Sequence, residues 1–162
     1  MSALVQRARP AFGLPGRIQA PNSKPRSLAL VGLGDGGAAV ARRIGAAAPP
    51  NVDVHVLAKS AAGENAVAAI QAGGGDLQRS LTSADMIFLV ACRGDDVTLA
   101  SVVSGIARGR HHTVTALYIV PERQGAPDRE DETLKTLRAH VEMLVVVSDE
   151  SYVPAMIAAL GD

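Results

Sequence analysis

The chain of 162 residues predicts a doubly wound α/β fold, a mostly parallel sheet in three layers with helices on both faces. Three observations carry that prediction. Short apolar runs alternate with segments of helical spacing five times, the pattern of parallel strands joined by crossover helices. The first run leads into a glycine-rich stretch, Gly32-Leu-Gly-Asp-Gly-Gly37, at the opening of a helix. The middle run, Met86-Ile-Phe-Leu-Val-Ala91, is apolar at every position, as a strand buried on both faces has to be.

The elements follow in order. Leu28 to Val31 is the first strand, Gly32 to Gly37 a loop, and Ala38 to Gly45 a helix with Arg42 and Arg43 near its C-terminus, where cations suit the helix dipole. Val52, Val54, Val56 and Leu57 form a second strand. Glu64 to Gln71, closed by Gly73 to Gly75, forms a second helix, and Asp76 caps a short helical turn through Thr82. After the middle strand, Val97 to Ala107 is helical, with Asp95 or Asp96 as its cap, and Thr113 to Val120 is a strand stopped by Pro121. Gln124 to Asp128 is a loop. Asp131 to His140 is an amphipathic helix with Leu134, Leu137 and Val141 on one face. Leu144 to Val147 reads as a further buried strand, and Tyr152 to Leu160 as a last helix with Pro154 in its first turn and Gly161 past its end.

Composition narrows the function. Residues 1–26 hold Arg7, Arg9, Arg17, Lys24 and Arg26, four prolines and no acid, and read as a disordered, solvated basic arm ahead of one domain over 27–162. That domain keeps 11 basic and 16 acidic residues, a balance that repels a nucleic acid backbone. Four aromatic residues in the whole chain leave few stacking platforms for single strands. No uncharged apolar run reaches about 18 residues, so no membrane span is expected, and the reading is of a cytoplasmic protein. The single Cys92 excludes an internal disulfide and a cysteine zinc site.

Gly32, Gly34 and Gly37 satisfy the G-x-G-x-x-G spacing in the strand-to-helix setting where backbone amides and the helix dipole hold a phosphate. Asp35 lies within this stretch. Asp95 and Asp96 follow the middle strand at the carboxyl edge, where ligands of such sheets sit, and would repel a phosphate unless a magnesium ion joined them to it. His55 alternates with Val54 and Val56 and reads as a surface or satisfied histidine. His111 and His112 sit in a turn beside Arg108 and Arg110, His140 is remote from both, and no metal set has ligand spacing. Cys92, with no base assigned to it, reads as a buried structural thiol. No catalytic residue is assigned.

Several segments together resemble the nucleotide-binding domain of the FtsZ and tubulin family. Leu28 to Val40 is similar to that family's opening strand and glycine loop, and Val52 to Leu57 to its second strand. Ala84-Asp-Met-Ile-Phe-Leu-Val-Ala91 is similar to the strand that leads into the tubulin signature. Thr113 to Pro121 resembles the next strand, and Leu137 to Glu150 the helix, strand and loop that close the domain. Order and spacing agree over about 120 residues. The resemblance implies a Rossmann-like domain that binds GTP, with magnesium accompanying the nucleotide, at an inherited anion site of Gly32, Gly34, Gly36, Gly37 and Gly94, with Thr98 as a hydroxyl contact.

The departures bear on activity. Where the family has a GGGTGTG-type phosphate loop, this chain has Gly94-Asp-Asp-Val-Thr-Leu-Ala-Ser101. The asparagines expected at the end of the first glycine loop are Ala38 and Ala39, and the Asn-Thr-Asp expected after the second strand is Ala58-Lys-Ser60. Measured against the family, hydrolysis and filament assembly are lost, leaving residual nucleotide binding and a role as a binding or scaffold module for a protein partner or a second copy. The alternative is an NAD(P)-binding domain of an oxidoreductase or regulatory protein, with Lys59 and Ser60 placed to receive a 2′-phosphate.

Overall fold

The computed structural model describes residues 26–57 and 75–161. The arm before Arg26, the helix expected over 64–71, and Lys59 and Ser60 lie outside the described residues. Five parallel strands, β1 (Leu28–Leu33), β2 (Val52–Leu57), β3 (Met86–Cys92), β4 (Val114–Ile119) and β5 (Met143–Val147), form one sheet in the order β2-β1-β3-β4-β5. The helices are α1 (Gly34–Gly45), α2 (Gly75–Ser83), α3 (Ala100–Arg108), α4 (Glu132–His140) and α5 (Tyr152–Gly161), with a 3-10 turn at Glu122–Gln124. This is the Rossmann-like, doubly wound, three-layer α/β architecture.

Strand side chains divide between the faces with the period of two that extended backbone imposes. Ala29, Val31, Ile87, Leu89 and Tyr118 pack with Leu81 of α2, Val103 of α3 and Leu137 of α4. Leu28, Leu30, Phe88, Val90 and Leu117 pack with Val40 and Ile44 of α1 and Val153 and Ile157 of α5. β1 and β4 are buried along their whole length, in keeping with the predominance of apolar residues in both. The chain leaves β1 toward β2 and returns to β3 on the other side of β1, so the winding reverses between β1 and β3. The carboxyl end of that pair is where ligands of doubly wound sheets bind.

Several expectations change, among them the end of the last helix, which includes Gly161. β1 runs through Gly32 to Leu33 and α1 begins at Gly34, so the glycine stretch is a direct strand-to-helix junction rather than a loop. α3 starts at Ala100, not Val97. β5 is an edge strand with no outer neighbour among the described residues, and its Met143 and Val146 are exposed. Apolar sequence alone does not separate an edge from a centre. Asp76 lies inside the first turn of α2, where its carboxylate meets Arg79 at 3.4 Å.

Candidate functional site: the carboxyl end of β1 and β3

Four N–H groups at the start of an α-helix have no partner within it, and they gather positive potential. At α1 the preceding residue is Leu33, whose side chain has nothing to offer them. Asp95, from the loop after β3, fills that role. The Gly36 N–H donates to Asp95 Oδ1 at 3.0 Å and the Gly37 N–H to Oδ2 at 2.8 Å. The Cys92 N–H donates to the same Oδ2 at 2.7 Å. Three backbone donors thus converge on one carboxylate at the place where a phosphate was expected.

The glycines make this approach sterically open. Gly34 turns the chain from strand to helix at φ +69°, a region costly for other residues, and a Cβ there would lie 2.6 Å from that of Asp95. A Cβ on Gly37 would lie 2.1 Å from the Val90 carbonyl oxygen, inside the backbone of the central strand. Gly36 faces Cys92 and Asp95, and Gly32 lies buried beneath the first turns of α1. Close packing of α1 on β3 therefore requires Gly37 with no ligand present. Enlarging both Gly36 and Gly37 would disturb the fold itself and so cannot isolate a binding role.

Gly94 and Thr98 do not join the cradle. Gly94 turns the loop at φ +82° with open space around it, and the exposed Thr98 donates both its N–H and its hydroxyl to Asp96 Oδ1. Neither Asp95 nor Asp96 caps α3, because each carboxylate is turned elsewhere and the helix starts at Ala100. Asp35 is exposed on the first turn of α1. Among the described residues no three His, Cys, Asp or Glu side chains come together as metal ligands.

The loop after β3 is also tied to the opposite layer. Thr133 Oγ1, in the first turn of α4, donates to the Asp95 carbonyl at 3.0 Å. Asp131 caps α4 by accepting the Leu134 N–H at 2.9 Å, and it accepts the Tyr118 hydroxyl as well. Burial, then the bond to Asp131 and that carboxylate's charge, push the Tyr118 phenol well above its ordinary value, so it remains a donor. Arg93 stands 4.0 Å from Asp131 and donates to the Gln124 carbonyl at 2.7 Å. A groove of about 640 Å³ opens between this loop and the start of α4. The residues that line it include Asp96, Asp128, Glu130, Asp131 and Glu132, against the single basic residue Arg93.

The remaining reactive side chains are dispersed. Cys92 is half-buried at the end of β3. Burial first, then the nearby Asp95 and Glu150 carboxylates, push its thiol up to about 11, which leaves it protonated and unreactive. His55 is half-buried, and its Nε2 is buried with no hydrogen-bond partner among the described residues. Desolvation lowers its pKa, against the raising influence of Asp53 and Asp76. His112 Nε2 lies 3.2 Å from the Thr82 carbonyl, and His111 occupies the turn at φ 60°.

The sequence pointed to the glycine stretch and to a helix from Asp131 to His140, but not to the contact of Asp95 with the Gly36 and Gly37 amides, the Asp131 cap or the roles of Thr133 and Tyr118. The available signal was an acidic pair directly after the central strand, at the edge that faces α1. No family model matches the chain, and no curated protein matches it. Fold and site define a doubly wound domain whose anion-binding corner is filled by its own carboxylate.

Proposed function

We propose that this chain is a divergent FtsZ-like nucleotide-domain fold that works as a non-hydrolysing binding scaffold for a protein partner, its glycine cradle held by Asp95 in place of a GTP phosphate. The observation that carries the reading is the set of three N–H bonds from Gly36, Gly37 and Cys92 to that carboxylate. An entering phosphate would have to displace a charge-assisted acceptor already in place. A phosphate beside an undisplaced Asp95 carboxylate would pay about 3 kcal/mol per unit charge at roughly 5 Å and an effective dielectric near 20. The hydroxyl of Thr98, which the family resemblance would turn toward phosphate, is engaged by Asp96.

The test is thermal denaturation with GTP, GDP, ATP, NAD and NADP near a millimolar, each with and without magnesium. A ligand with Kd of about 10 µM would add about 2.7 kcal/mol and move the midpoint by several degrees. The scaffold reading expects no shift with any of them. A shift with GTP or GDP overturns it in favour of a retained tubulin-like site, and a shift with NADP overturns it in favour of the dinucleotide-binding alternative.

A further inference from the structure

Besides its own turn, in which the Asp95 N–H donates to the Cys92 carbonyl at 3.1 Å, the loop after β3 is tied to helices on opposite faces of the sheet. On one face the Asp95 carboxylate enters the N-terminus of α1. On the other, its main-chain carbonyl accepts the hydroxyl of Thr133, a buried residue of α4. The start of α4 is itself fixed to the sheet through Asp131 and the Tyr118 hydroxyl of β4. Gly94, with positive φ and no atoms crowding it, is the permissive point between these anchors and β3.

We propose that residues 93–96 form a latch in which Thr133 is the positioning residue for Asp95, so that the N-terminal amides of α1 open to solvent only when α4 releases the Asp95 carbonyl. With the carbonyl bonded, the Cα of Asp95 is fixed and its side chain is aimed into the α1 amides. With the carbonyl released, rotation at Gly94 lets the carboxylate withdraw. A displacement of α4 on one face is thereby transmitted to α1 on the other through a single residue. The latch rests on the filled cradle of the proposed function but not on what the scaffold binds. Hydrogen exchange reads opening where the thermal panel reads ligands, so either can fail without the other.

The experiment is residue-resolved amide hydrogen exchange on the full chain for wild type, Thr133→Val, Thr133→Ser, Asp95→Ala and the Asp95→Ala/Thr133→Val double variant. Valine keeps the shape of threonine and removes the donor, and serine restores it. The latch expects Thr133→Val to speed exchange at Gly36, Gly37 and Cys92 by about tenfold or more, with the Phe88 and Leu89 amides of β3 little changed. It expects Thr133→Ser to return those rates toward wild type. In the Asp95→Ala background, Thr133→Val should add nothing further at Gly36 and Gly37. Unchanged rates in Thr133→Val overturn the latch, as does an equal acceleration in β3, which would mark general destabilisation. Additive effects in the double variant overturn it as well.

Discussion

The N-termini of α1 and α4 meet the same need in two ways. α4 is capped by Asp131, the residue just before it, which accepts the N–H of Leu134 three positions on. α1 is capped by Asp95, 58 and 59 positions beyond the glycines that donate to it. The first cap forms with its own helix. The second exists only after β1 and β3 have paired and brought their carboxyl ends together. A glycine-rich helix start therefore need not signal a phosphate, because the chain can supply the anion from elsewhere in its own sequence.

Gly37→Val should break the comparison most severely. Its Cβ would enter the Val90 carbonyl, 2.1 Å away from the ideal position, at a cost of about 3 kcal/mol or more. Circular dichroism melting should then find a poorly folded or strongly destabilised protein. An unchanged midpoint would mean that α1 does not seat on β3 and that Asp95 cannot be its cap.

Truncating the local cap should come next. Asp131→Ala removes the α4 cap and strands the buried Tyr118 hydroxyl, an expected loss of about 3 kcal/mol in urea unfolding. Adding Tyr118→Phe should recover part of it, since an absent hydroxyl needs no partner. No recovery would place the cost in the helix cap alone.

Asp95→Ala should cost somewhat less, about 2 kcal/mol, because the site is half-buried and water can reach some of the freed amides. Asp95→Asn should cost about 1 kcal/mol, keeping one carbonyl acceptor and giving up the charge. Were Asp95→Ala neutral in the same titration, the long-range cap would carry no weight beside the local one.

The smallest effect is alkaline. Burial and Asp131 hold the Tyr118 phenol above its ordinary value of 10.0, so between these two values the folded chain keeps a proton that the unfolded chain has lost. The stability that this proton represents is present below pH 10 and declines as pH rises through the folded value. Tyr118→Phe should flatten that part of the stability profile relative to wild type. Equal slopes in the two proteins would show that the phenol does not bear on the α4 cap.

How much could be read beforehand follows from the range of each interaction. Met86 to Ala91 announced a central strand, because a position buried on both faces tolerates no polar alternation. Leu134 and Leu137 announced α4 because helical spacing puts them on one face. Pro154 fell in the first turn of α5, where its missing N–H costs nothing. By contrast, Leu144 to Val147 looked buried because apolarity does not record which strand lies outermost. Asp95 looked like the cap of the following helix because that is the nearest set of free amides along the chain.

The sequence by itself thus determined the alternation of strands and helices, the burial of the central strand and the amphipathic face of α4. These depend on periodicities and contacts within a few residues. Only the tertiary structure decided what occupies the glycine cradle. The partner of Gly36 and Gly37 is chosen by the parallel pairing of β1 with β3, an encounter between segments more than fifty residues apart that no local pattern encodes.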